Sequence, residues 1–234
     1  MRKKAMRPIA KPALYPWPRP VCDVFVTKGA VAPYNGKIVQ TPHRHAVVAV
    51  GQNACIKVMQ AKFADRLEGI GLPWISAKAI IGGVGIGVAP KVTANGYIPF
   101  TPFAKAGART GVWVTFLDEE HLKALDSTEP GYTRLKLSSD KYPLTLARDG
   151  QRIEEYFIYQ AGKGYMTDGL SALQAPITQK QIFEFLQNVT DIAQVLPKQY
   201  RHSYLAQDQR KINDRIARNS WMIREPNLEG EKCE

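Results

Sequence analysis

Residues 45–54 read His45-Ala46-Val47-Val48-Ala49-Val50-Gly51-Gln52-Asn53-Ala54. The run through Val50 is apolar and β-branched enough for a buried strand, Gly51 permits a tight turn, and a helix is expected to begin at Asn53 and run to about Leu67. Met59, Phe63 and Leu67 would then share its inward face at i, i+4 and i+8. A strand that turns sharply into a helix presents backbone N–H groups that the helix itself does not use, at the positive end of its dipole. That arrangement suits a carboxylate or a developing oxyanion. Gly51, Gln52 and Asn53 are therefore the candidate substrate-binding residues.

Around this junction the signal is predominantly strand. Val21–Thr27, Lys78–Val84, Tyr97–Phe103, Gly111–Leu117 and Arg134–Leu137 are short, rich in β-branched or aromatic residues, and bounded by Gly, Pro or Asn. Asp149-Gly150 reads as a hairpin turn leading into Ile153–Gln160. Strands of this length and spacing, with few helices between them, favour an α+β fold built on a small mixed or antiparallel β-barrel. The glycine cluster Gly82-Gly83-Val84-Gly85-Ile86-Gly87 lacks the Gly-x-Gly-x-x-Gly spacing and no helix follows it, so a strand kink or bulge is expected there instead of a dinucleotide site.

Two further helices are clear. Asp118 is a good N-cap for a short helix that carries Glu119 and Glu120 in its first turn and buries Leu122 and Leu125. Thr178 and Gln181 form a capping-box pattern, and Ile182, Phe185, Leu186, Val189, Ile192, Ala193 and Leu196 make one apolar stripe ending at Pro197. That helix should pack on the barrel as core.

Strand 111–117 leads through the short helix to Leu125-Asp126-Ser127-Thr128-Glu129, then to Tyr132 and the strand 134–137. The two pieces together resemble the γ-glutamyl cyclotransferase-like family, whose members combine a Tyr-Gly-Ser-Asn loop with a Leu-Asp-x-x-Glu segment followed by a tyrosine. Gly51 and Asn53 match the loop, and Leu125, Asp126 and Glu129 match the second motif. Val50 stands where the family has an aromatic residue, and Gln52 replaces its serine. The resemblance covers roughly residues 21–164 by organisation and two short motifs. It implies that Glu129 is the catalytic acid/base and that the loop holds a γ-glutamyl group, with no metal and no organic cofactor. Asp126 would have a structural part, tying the turn before Glu129.

The charge pattern divides the chain. The formal net charge is +11, and residues 1–20 carry Arg2, Lys3, Lys4, Arg7, Lys11 and Arg19 with no acid. Prolines at 8, 12, 16, 18 and 20 interrupt that stretch, so it reads as an extended basic arm, with Tyr15 and Trp17 as its only docking hint. Residues 21–196 would form the α+β domain. Residues 197–234 would be a basic C-terminal segment, with a helix over about 203–220 whose thin apolar face packs on a partner or on the edge of the body.

No apolar run approaches the roughly 20 residues of a membrane helix, and the prolines break up the region where a signal peptide would need a continuous apolar helix, so secretion by that route is not expected. Cys22, Cys55 and Cys233 show neither disulfide-framework nor zinc-ligand spacing, and His43 and His45 lack further ligands nearby, so no metal is expected. A reducing, cytoplasmic location fits.

The sequence thus leaves three functions open. One is an enzyme acting on a small γ-glutamyl substrate. Another is an inactive relative that binds nucleic acid or an acidic protein through basic ends. The third is an assembly component whose tails clasp neighbouring subunits into an oligomer.

Overall fold

The computed structural model describes residues 11–27, 30–39, 41, 43–64 and 73–233. In chain order the strands are β1 (Val24–Val26), β2 (Val31–Pro33), β3 (His45–Ala49), β4 (Trp74–Val88), β5 (Phe100–Leu117), β6 (Tyr132–Ser138), β7 (Leu144–Leu146), β8 (Glu155–Ala161), β9 (Tyr165–Met166), β10 (Ile223–Arg224) and β11 (Glu231–Cys233). The α-helices are α1 (Ile56–Ala64), α2 (Glu119–Asp126), α3 (Gln179–Gln187), α4 (Thr190–Ala193), α5 (His202–Gln207) and α6 (Gln209–Arg218).

A nine-stranded sheet organises the fold in the order β11-β6-β8-β3-β5-β4-β1-β2, with β7 pairing on β4. Most pairs are antiparallel, but β3 and β8 run parallel through Val47↔Phe157 and Val48↔Ile158, so the sheet is mixed. The expected barrel is corrected: the sheet does not close, and its ends are the three-residue strands β11 and β2. Strand-like sequence fixes which residues extend, while closure depends on pairing between distant segments, which local periodicity does not encode. The apolar surface that a barrel would turn inward is covered here by helices. Ile182, Phe183, Leu186, Ile212 and Ile216 share one core with Val84, Ile86 and Val114. Along β3 the side chains alternate between two cores, Ala46 and Val48 joining that one and Val47 joining a smaller one with Met59, Phe63, Leu122 and Leu125.

The glycine cluster lies inside β4, and the β4–β5 register shifts between Gly82 and Val84, which is the expected bulge. Tyr97–Phe103 and Gly111–Leu117 are not separate strands. Residues 100–117 form one 18-residue strand whose small and basic middle is carried by the long β4 ladder.

The α2 cap is as read, with the Asp118 side chain accepting from the His121 N–H, and Thr178 with Gln181 completes a full capping box on α3. The expected 177–196 helix is broken, however. Asn188 and Val189 separate α3 from α4, and Phe183 is the buried aromatic while Phe185 is only partly covered. On α3 the inward face runs Gln179, Ile182, Phe183, Leu186, and the break re-aims the chain so that Ile192 still reaches the core. Helix α1 is short, preceded by a 3-10 turn over Gln52–Ala54, and buries Met59 and Phe63. Leu67 lies outside the described residues.

Two expectations about the ends also change. Residues 1–10 lie outside the described residues, but residues 11–20 are docked: Tyr15 and Trp17 are 4% and 8% exposed. The Tyr15 ring stacks on Tyr97 at 4.7 Å between centroids, and Trp17 meets Tyr97 edge-on at 5.3 Å. Aromatic area buried by three rings outweighs the preference of a proline-rich segment for solvent. The C-terminal segment packs on the body's edge, with Leu205, Ile212, Ile216 and Met222 fully buried in the main core. Its helix is split at Asp208 into α5 and α6, and the Asn213 side chain of α6 accepts from the Val92 N–H at 2.6 Å.

Candidate active site

Strand β3 ends at Ala49 and the chain turns through Gly51 into the 3-10 turn Gln52–Ala54. The turn's own bonds run from the Ala54 and Cys55 N–H groups to the Gly51 and Gln52 carbonyls. They therefore use none of the N–H groups of Gly51, Gln52 and Asn53. On the neighbouring side, α2 ends at Asp126, and the chain reaches Glu129 through two tight turns, Thr128 N–H to Leu125 O and Glu129 N–H to Asp126 O. Asp126 is tied to the sheet. Its carboxylate accepts from the Tyr159 hydroxyl at 2.6 Å and lies 3.4 Å from Arg134 Nε.

These two pieces, distant in sequence, meet in one cavity of about 210 Å³ lined by Gly51, Gln52, Asn53 and Glu129 together with Tyr15, Tyr97, Tyr132 and Lys91. Asn53 Nδ2 donates to Glu129 Oε1 at 3.0 Å. Lys62 Nζ donates to Asn53 Oδ1 at 2.7 Å and also to Glu129 Oε1, forming a buried ion pair. Lys62 is 1% exposed and Glu129 8%. A carboxylate this buried needs compensation, and here an ammonium and a side-chain amide supply it. Sequence reasoning missed Lys62. The signal was present, since Lys62 follows Met59 by three residues and so falls on the inward face of the α1 pattern.

The aromatic wall that Val50 does not provide comes from elsewhere. Tyr15 lies over Gly51, and its hydroxyl oxygen accepts from the Phe100 N–H at 2.9 Å. Tyr97 donates to Gln52 Oε1 at 2.9 Å, so the glutamine side chain is turned onto that ring. Tyr132 donates to the Phe100 carbonyl at 2.9 Å. Burial pushes the Tyr15, Tyr97 and Tyr159 phenols well above the ordinary tyrosine range, which keeps all three protonated, Tyr97 and Tyr159 as donors to Gln52 and Asp126. Lys91 is the one cation among the lining residues, its Nζ 4.3 Å over the Tyr132 ring and bonded to the Pro130 carbonyl at 3.0 Å. Burial lowers its pKa, opposed by attraction to Glu129. Tyr15, Tyr97 and Lys91 come from segments outside both motifs, so neither motif could have pointed to them.

The arrangement brings together a buried carboxylate, a turn whose own bonds leave N–H groups unused, and a lining ammonium. No family model matches the chain, and no curated relative matches it. Similar solved structures include a gamma-glutamyl cyclotransferase, at 14% identity and a TM-score of 0.39, covering 82% of this chain and 94% of that one. They also include an uncharacterized protein from Homo sapiens at 14% identity and a TM-score of 0.37, covering 82% and 95%. A third, from Arabidopsis thaliana, has 10% identity and a TM-score of 0.37, covering 67% and 89%. Each is a likeness, and the chemistry of the site stands on its own residues.

Proposed function

We propose that the protein is a divergent γ-glutamyl cyclotransferase-like enzyme. It would convert a γ-glutamyl amine or peptide to 5-oxoproline and the free amine. The observation that carries this reading is the hydrogen bond from Asn53 Nδ2 to Glu129 Oε1 at 3.0 Å, which joins the loop and the Leu-Asp-x-x-Glu segment inside one cavity.

In this reaction the substrate's α-amine attacks its own γ-carbonyl carbon. A C–N bond forms, a five-membered ring closes, and the original γ-amide C–N bond breaks. Glu129 takes the proton from the attacking nitrogen and returns one to the departing nitrogen. Gly51, Gln52, Asn53 and Lys91 line one cavity, and in this reading the turn's N–H groups would stabilise the tetrahedral oxyanion while Lys91 would hold the α-carboxylate. Folding the γ-glutamyl chain back on itself against the tyrosine wall removes much of the entropic barrier to ring closure.

The buried contact between Lys62 and Glu129 favours one alternative, a binding or assembly protein in which that carboxylate serves structure and turnover is lost. The deciding measurement is 5-oxoproline release from a panel of γ-glutamyl peptides and amines. Wild type should release it, and Glu129→Gln should lower the rate by about 10²-fold or more, read below the variant's own thermal midpoint because the change leaves Lys62 without its counter-charge. A wild type that releases none from any member of the panel removes the cyclotransferase reading.

A further inference from the structure

The β4–β5 hairpin carries an irregularity that the candidate active site does not use. Between the pairs Gly82↔Arg109 and Val84↔Ala104, β4 contributes only Gly83 while β5 contributes residues 105–108. Gly83 and Gly107 both adopt φ of 71°, a left-handed conformation that glycine takes without strain. Bulges of this kind re-aim the side chains beside them. Here Lys105 and Arg109, both exposed, are brought to one cavity of about 930 Å³. Its other walls are residues 13–16 with Arg19 and the stretch Gln174–Thr178 with Gln181.

The charge in this cavity is one-sided. Arg19, Lys105 and Arg109 line it and no Asp or Glu does. Among the described residues no ion pair involves any of the three. Lys105 Nζ donates to Gln174 Oε1 at 2.8 Å and Arg19 Nη2 to the Val50 carbonyl at 3.2 Å, both neutral acceptors. The N-terminus of the nine-residue α3 opens on the same space at Thr178 and adds potential of the same sign. Three cations lining one cavity without a counter-charge give it a positive potential, and an anion placed among them is attracted by all three. The volume lies in the range of small-ligand sites. The aromatics that line it, Tyr15 and Phe100, are buried and offer no exposed face on which successive bases of a polymer could stack.

We propose that the cleft between the β5 bulge, residues 13–19 and residues 174–181 binds a small molecule bearing two or more anionic groups, phosphates or carboxylates. Tyr15 and Phe100 line this cleft and the candidate active site alike, so its occupant rests against the back of the active-site wall.

The test uses the full chain with inorganic pyrophosphate and citrate as probes, followed by titration calorimetry and by the fluorescence of Trp17, which packs on Tyr15. At least one probe should saturate at a single site, and the preferred one separates phosphate from carboxylate recognition. Lys105→Ala with Arg109→Ala, or Arg109→Gln alone if the pair lowers the thermal midpoint, should weaken binding about tenfold or more. Binding needs no turnover, so this result is read independently of 5-oxoproline release. The proposal is overturned if neither probe saturates, or if affinity is unchanged in the variants. A single-stranded oligonucleotide that binds without competition from pyrophosphate would also overturn it, in favour of a polymer.

Discussion

Tyr15 sits so close over Gly51 that a β-carbon on Gly51 would stand 2.3 Å from the Tyr15 hydroxyl oxygen. The first described segment of the chain is thus fitted to the loop of the candidate active site, and neither can change alone. Tyr15 cannot swing aside cheaply, because it stacks on Tyr97 and accepts from the Phe100 N–H.

Gly51→Ala should therefore destabilise the protein by about 1–3 kcal/mol, the usual cost of overpacking a filled site. Tyr15→Phe removes the offending oxygen, so the double variant should recover part of the loss. Chemical denaturation of the two single variants and the pair measures this coupling, and strict additivity would refute the contact.

Replacing Tyr15 by Ala should cost about 3–5 kcal/mol, as for other large aromatics deleted from a core. Deleting residues 11–20 should lower the thermal midpoint by several degrees or more. An unchanged midpoint would mean that the segment is a loose arm after all.

Lys62→Met leaves Glu129 buried without its ammonium partner and should destabilise by about 3–5 kcal/mol. Adding Glu129→Gln to Lys62→Met should restore much of that stability, since the uncompensated charge is gone. Denaturant midpoints for the four proteins give the interaction directly, and a double variant no better than Lys62→Met would show that the pair is not the source of the cost.

On α3, Phe183→Ala should destabilise by about 3–5 kcal/mol and Phe185→Ala by clearly less, because Phe183 is 2% exposed and Phe185 is only partly covered. Equal losses would contradict the assigned face.

The tyrosine wall makes stability pH-dependent in a known direction. Tyr15, Tyr97 and Tyr159 have folded-state pKa values raised by burial, whereas in the unfolded chain each ionises near about 10. Their contribution is fully present below the unfolded value and is lost as pH rises above it, because the unfolded state then releases protons that the folded state retains. The thermal midpoint should hold near pH 8 and fall steeply above about pH 10. Tyr97→Phe should flatten that fall, and an unaltered slope would exclude Tyr97 as a contributor.

What the sequence made legible was local. The loop at Gly51–Asn53, the cap at Asp118 and the capping box at Thr178 each depend on residues within a few positions of one another. The juxtaposition of the Gly51–Asn53 loop with Glu129 could be anticipated only because two short motifs were read together. Lys62, Tyr97 and Lys91 act through distant contacts, and Tyr15 was visible only as an aromatic residue in a basic stretch. The same limit explains the barrel. The parallel pairing of β3 with β8 and the helical cover on the sheet are long-range outcomes, and strand-like periodicity does not say where an edge ends.

Strand β11 lies antiparallel on β6, pairing Glu231–Cys233 with residues 134–136. A bare β6 edge would present unpaired N–H and C=O groups to any other extended chain, the usual route to edge-to-edge aggregation. The short strand that covers it places Glu231 and Lys232 outermost, so the new edge is both brief and charged. Residues 231–233 therefore occupy the hydrogen-bonding edge that β6 would otherwise offer to another strand. The cost is that β11 follows β6 only after strands β7–β10 and helices α3–α6, so β6 stays open to mispairing until that later segment has been made.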